Sequence, residues 1–173
     1  MARQLWLLRH AEAEPHGTRA DAERRLTERG ERQARTAGIA LARLDGTFAE
    51  VLFSPKARAC QTAELATEQW SMAQRERLRS HPPLAAGFDA RQALDALNAL
   101  ADGERLLIVG HEPDLSRLIG DLTGGLVDLK KGGLAVLRLE DGVLRPDGVV
   151  GELAVLMRPR ELALIAGVPT EGH

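Results

Sequence analysis

The chain has 173 residues, 44% of them apolar and 3% aromatic, and a formal charge of -2; that length suits one well-buried domain over residues 1–173 and is short for two. The near-neutral charge and the scarcity of aromatics argue against non-specific nucleic-acid binding, acidic membrane surfaces and base-stacking platforms. The single cysteine, Cys60, permits no intramolecular disulfide. No signal-peptide pattern is present and no apolar run nears the ~20 residues that span a bilayer, so a cytoplasmic protein without membrane or nucleic-acid partners is expected.

The first element is a short apolar strand, Gln4 to Leu8, running straight into Arg9-His10. Ala11 to Arg25 is polar, contains Pro15 and Gly17, and reads as a loop over the strand end. Thr27 is the N-cap expected for a helix to about Leu44, with Ala34, Ala37, Leu41 and Leu44 as its apolar stripe and Asp45-Gly46 as its stop. A second strand, Val51 to Phe53, leads through Ser54-Pro55 into a helix from about Ala57 to Trp70. Ala59, Thr62, Ala63, Ala66 and Trp70 can share one side of that helix.

Arg75 to Arg79 is a weaker strand candidate, closed by Pro82-Pro83. Ala90 to Leu100 reads as a helix with Ala93, Leu94, Leu97 and Leu100 facing inward. Asp102-Gly103 turns the chain into a third apolar strand, Leu106 to Val109. Pro113 is placed to open a helix to Leu122, which Gly124-Gly125 ends. Leu134 to Leu139 and Val149 to Met157 are strand-like, joined through Asp141-Gly142, and suit an antiparallel pair. Arg160 to Ala166 is a last short helix. The alternation predicts an α/β fold: a three-layer sandwich with helices on both faces of a largely parallel sheet and an antiparallel C-terminal strand pair.

Short, continuous apolar runs are how strands buried on both faces read, and ligands of such sheets bind beyond the strands' carboxyl ends. That rule lets His10, Arg9, Arg58 and His111 share one pocket. An unprotonated imidazole nitrogen can attack phosphorus. Guanidinium forks hold the phosphate oxygens and keep a nearby imidazole neutral. Arg58 falls in the first turn of its helix, an unfavourable place for a cation unless an anion binds beside it. His111 follows Gly110 at the end of the most apolar strand.

Other chemistries lack their residues. Glu112 does not complete a zinc HExxH motif, because position 115 is Leu. Cys60 is followed by Ala66 where a cysteine phosphatase needs Arg. Walker A, Gly-x-Ser-x-Gly and Asp-x-Asp patterns are missing, and no His/Asp cluster has metal-ligand spacing. No metal and no cofactor are expected.

These residues resemble the histidine phosphatase superfamily in its phosphoglycerate-mutase-like branch. Leu8-Arg9-His10-Ala11 is similar to the Arg-His-Gly signature, with Ala for Gly. Ser54-Pro55-Lys56-Ala57-Arg58-Ala59-Cys60-Gln61-Thr62-Ala63 resembles the Ser-Pro-x-x-Arg-Ala-x-Gln-Thr-Ala motif. Gly110-His111-Glu112-Pro113 resembles the third motif, and Leu26-Thr27-Glu28-Arg29-Gly30 the Leu-Thr-x-x-Gly that opens the first helix.

The short length and Glu12 look most like the SixA-type phosphohistidine phosphatases. The resemblance implies that His10 becomes phosphorylated in a pocket formed with Arg9, Arg58 and His111. It also implies an acidic proton donor after the middle strand, and there the chain departs. Pro83 to Asp89 contains no aligned Glu; Asp89 and Glu12 are the candidate acids, with helix capping the plain role for Asp89. The expected substrate is phosphohistidine on a protein. A phosphatase of small phosphomonoesters and a phosphate-binding module without turnover are the alternatives. A short chain offers little lid to exclude water, which argues against a mutase.

Overall fold

The structure, a computed structural model, describes residues 2–139 and 150–170. Six strands form one sheet: β1 (Arg3–Arg9), β2 (Glu50–Phe53), β3 (Leu78–Ser80), β4 (Arg105–Gly110), β5 (Leu134–Leu139) and β6 (Gly151–Met157). Their spatial order is β3-β2-β4-β1-β5-β6. The first four run parallel to one another. β5 lies antiparallel to both β1 and β6. The expected antiparallel C-terminal pair is therefore present and joins the parallel sheet directly through β1.

Alternation along the strands sends side chains to two faces. Leu5, Leu7, Leu106, Ile108, Ala135 and Leu137 pack under α4 (Ala90–Asn98) and α5 (Asp114–Thr123). Trp6, Leu8, Leu107, Val109, Leu134 and Val136 point the other way, under α1 (Glu28–Arg43), α2 (Ala57–Thr67) and α6 (Pro159–Ala166). β1 and β4 are apolar at every central position because they lie mid-sheet with both faces covered. Each fully buried leucine there is worth about 1.5–3 kcal/mol relative to exposure.

The expected ends shift where local chemistry intervenes. Thr27 caps α1 by accepting from the Gly30 amide at 3.1 Å, and Asp45, at φ 57°, terminates it. The second helix stops at Thr67, three residues before the expected Trp70, where the Glu68 amide turns back to Leu65 O. Trp70 stacks instead on Phe48, with centroids 5.7 Å apart. The weak strand expected at Arg75–Arg79 is displaced: Ser71 caps a short helix, α3 (Met72–Arg75), so the strand starts only at Leu78. The fourth helix ends at Asn98, not Leu100, with the Leu100 amide bonded to Leu97 O. Pro113 is the N-cap of α5 rather than its first residue. Pro82-Pro83 opens a 3-10 turn to Ala85. The expected Asp141-Gly142 turn and the strand start at Val149 lie outside the described residues.

One glycine shows why the loop after β1 sits where it does. A Cβ on Gly30 would lie 1.9 Å from the Glu12 carbonyl oxygen. The first turn of α1 therefore passes against the loop backbone as only glycine allows.

Candidate active site

Strand register builds the site. Arg9 pairs with Gly110, and Phe53 with Val109. The His10 amide donates to Gly110 O at 3.0 Å, and the Ser54 amide to Val109 O at 3.1 Å. The residues just past the ends of three neighbouring strands, His10, His111 and Ser54, therefore stand side by side. The two imidazole centroids are 5.1 Å apart, with ring planes tilted by 54°. Both rings are buried, at 6% and 7% exposure.

Hydrogen bonding sets the state of each ring. His10 Nδ1 lies 2.8 Å from the Ala11 carbonyl oxygen. That oxygen can only accept, so Nδ1 carries the proton and Nε2 keeps a lone pair. Arg58 Nε donates to Nε2 at 3.3 Å, which fits this tautomer. Burial first, then the neighbouring His111, Arg58 and Arg9, lower the His10 pKa to about 3 against the support of the Ala11 carbonyl. His111 is lowered likewise to about 3, by burial and then by Arg58 and Lys56. Its Nε2 is 2.7 Å from Ser54 Oγ. Its buried Nδ1 has no hydrogen-bond partner among the described residues.

The cations are held from behind. Arg9 donates through Nη1 to Leu129 O at 2.8 Å, while its buried Nε has no partner among the described residues. Arg58 donates through Nη1 to Asp21 O at 2.6 Å and through Nη2 to Asp21 Oδ2 at 3.3 Å. The four residues expected to share a pocket are thus gathered at one sheet end. Two neutral imidazoles and two guanidiniums in a buried setting can accept a phosphoryl group on nitrogen and spread its charge over N–H donors.

The candidate acids are engaged elsewhere. Asp89 caps α4: it accepts from the Gln92 amide at 2.9 Å, and Gln92 Oε1 accepts from the Asp89 amide. Glu12 accepts from the Thr27 hydroxyl at 2.8 Å and from Arg29 at 3.2 Å, fastening the loop to α1. Among the described residues, neither carboxylate is hydrogen-bonded to His10 or His111.

The sequence does not single out Asp21 or Arg24, and Ser54 and Lys56 stand out only as parts of a motif. Asp21 accepts from Arg24 (3.0 Å), Lys56 (2.9 Å) and Arg58 (3.3 Å), and Arg24 is buried. Asp21 and Arg24 lie in what read as a polar loop, where nothing in the pattern distinguishes them from solvated charges. Gln61 and Thr62 were legible only as parts of a motif. Gln61 Oε1 accepts from the Leu26 amide at 2.8 Å. Thr62 Oγ1 accepts from the Ala11 amide at 3.1 Å and donates to Arg58 O at 2.6 Å. α2 thereby holds the chain just after His10. Among the described residues, no cluster of three His, Cys, Asp or Glu side chains could hold a metal ion, and no helix is long and apolar enough to cross a membrane.

The model of the histidine phosphatase superfamily (branch 1) matches residues 5–81. An uncharacterized protein of Picosynechococcus sp. is 34% identical over 146 residues, covering 78% of this chain and 84% of its own. A SixA protein of Nakamurella multipartitia, assigned as a phosphohistidine phosphatase, superposes with a TM-score of 0.75 at 26% identity, over 92% of this chain and 97% of its own. The protein histidine phosphatase SixA complexed with tungstate gives a TM-score of 0.74 at 23% identity, covering 92% of this chain and 99% of that one; at that identity it speaks to the fold alone. With these matches and the site geometry together, the chain belongs to the histidine phosphatase superfamily, branch 1, as a SixA-like phosphatase.

Proposed function

We propose that this phosphatase works through a phosphohistidine intermediate on His10 and that its preferred substrate is phosphohistidine on a protein. The observation that carries the reading is the His10 ring: Nδ1 pinned by Ala11 O, Nε2 unprotonated beside Arg58. In this scheme the substrate ring takes a proton from solvent on its unphosphorylated nitrogen, Nε2 of His10 attacks phosphorus in line, the bond to the leaving nitrogen breaks, and the substrate departs as a neutral imidazole. With Ser54 Oγ donating to His111 Nε2, the unpartnered Nδ1 of His111 carries a proton, and it holds the equatorial oxygens with Arg9 and Arg58 as charge develops. Water then cleaves the P–N bond to His10, releasing phosphate. The guanidiniums supply the charge that a metal would otherwise provide. We take residues 1–173 as a single domain, and all of these parts come from one end of its sheet.

The substrate preference follows from the engaged carboxylates. An alkyl phosphate leaves as an alkoxide and needs an acid, whose contribution is commonly ~10²–10⁴-fold. Asp89 and Glu12 are committed to a helix cap and a loop junction. A phosphohistidine ring protonated from solvent on its distal nitrogen leaves as neutral imidazole, whose conjugate acid has a pKa of ~6.5, and needs no enzyme acid.

The test is a turnover series on phosphohistidine peptide, p-nitrophenyl phosphate and alkyl phosphates, with and without EDTA. The expected order of kcat/KM is phosphohistidine first and alkyl phosphate last, unaffected by EDTA. Wild type should trap an acid-labile phosphoenzyme that His10→Ala lacks, with the variant slower by several orders of magnitude. A preference for alkyl phosphates would favour the small-phosphomonoester reading. Phosphate binding without turnover or trap would leave only a binding module.

A further inference from the structure

We propose that Asp21 is a positioning residue of this pocket, a fixed counter-charge that orients Arg58 and holds down the pocket's affinity for free phosphate. The inference rests on the reading of His10 and Arg58 as the phosphate site. Asp21 opens a 3-10 turn, Asp21–Glu23, inside the loop that follows β1. Its Oδ1 accepts from Arg24 Nε at 3.2 Å and Nη2 at 3.0 Å. Its Oδ2 accepts from Lys56 Nζ at 2.9 Å and Arg58 Nη2 at 3.3 Å, and its backbone oxygen accepts from Arg58 Nη1 at 2.6 Å. One residue thus gathers three cations from the loop, the turn before α2 and α2 itself.

A guanidinium has five N–H donors in a rigid plane. Asp21 takes one from each terminal nitrogen of Arg58, and His10 Nε2 takes the Nε–H. The plane is fixed by contacts on both sides, and the remaining N–H groups keep one direction without reorganising when charge develops. The Lys56 bond, with help from Arg24 and Arg58, holds the Asp21 carboxyl well below the usual carboxylate range. At working pH it therefore carries charge and has no proton to give, which separates its role from that of the missing acid. The same charge opposes a phosphate dianion. Without it, Arg24, Lys56 and Arg58 would present their full charge to substrate and product alike.

Asp21→Asn keeps the backbone contact to Arg58 and removes the charge. The side chain of Asp21 is 45% exposed, so the variant is expected to fold, which thermal unfolding would verify. The kcat for p-nitrophenyl phosphate should fall about tenfold as the fork loosens, and inorganic phosphate should bind about tenfold more tightly as the pocket gains a unit of positive charge. KM should fall with kcat. Asp21→Glu restores the charge and should return phosphate affinity towards wild type. Adding Lys56→Met to Asp21→Asn removes the surplus cation and should do the same.

A merely structural role for the loop would weaken phosphate binding along with turnover. Calorimetric titration with inorganic phosphate decides the matter, because it needs no turnover. Unchanged or weaker phosphate binding in Asp21→Asn overturns the proposal. Arg58→Ala, run in parallel, tests the parent reading separately. If it impairs both phosphate binding and turnover while Asp21→Asn changes neither, only the role of Asp21 fails.

Discussion

Burying two neutral histidines should make this protein sensitive to mild acid in a way that one substitution relieves. The unfolded His10 ring takes up a proton near its ordinary pKa of 6.5, whereas the folded ring resists until about 3. Below 6.5 the unfolded state therefore binds more protons than the native state. Stability is complete above 6.5 and is lost progressively as pH falls towards 3. At about pH 5 the difference amounts to roughly 1.36 kcal/mol for each of ~1.5 pH units, or about 2 kcal/mol from His10. His111, lowered for the same main reason, adds a cost of similar size. His10→Gln keeps a polar side chain of related size and cannot titrate. Urea unfolding of wild type and His10→Gln at about pH 7 and about pH 5 isolates the term, because background carboxylates respond alike in both. Wild type should lose about 2 kcal/mol more than the variant over that interval. Equal losses would refute the argument, since they would mean that the native His10 ring protonates as readily as the unfolded one.

Arg58→Lys keeps the charge but loses the fork that spans His10 and Asp21, so turnover should still fall clearly; Arg58→Ala should raise the barrier by about 2.7–4 kcal/mol in single-turnover kinetics. Thr62→Val strands the Ala11 amide and removes the hydroxyl's additional bond to the Arg58 carbonyl. Denaturant unfolding should register a loss of about 1–3 kcal/mol, and turnover should fall because the chain beside His10 loosens. Asp89→Asn is expected to leave phosphohistidine turnover nearly unchanged, while Asp89→Ala should cost about 1 kcal/mol of stability through the lost cap of α4. A large rate loss for Asp89→Asn on alkyl phosphates would instead identify Asp89 as the acid.

The chain declares its sheet before it is folded. Leu5 to Leu8 and Leu106 to Val109 are apolar at every position because mid-sheet strands are covered twice, and no exposed strand tolerates that pattern. The start of α1 is equally legible, since the Thr27 cap has a local cause, whereas the packing of Gly30 against Glu12 O is decided by the tertiary fold. His10 and His111 could be picked out because each follows a buried strand, where sheets of this kind place ligands. Ends set by single hydrogen bonds were not legible. The stop at Thr67 and the late start of β3 depend on where a chain turning under Phe48 and Ser71 finds partners.

Within the site, sequence decided which groups are available, and tertiary structure decided their states. That His10 is neutral with Nε2 unprotonated depends on the Ala11 carbonyl, the depth of burial and Arg58, which lies 48 positions away. That Asp21 binds Arg24, Lys56 and Arg58 while Asp89 only caps a helix cannot be read from either residue. Both are acidic residues in polar stretches. Charge–charge energies depend on distance and dielectric, and neither exists until the loop after β1 is folded against α2.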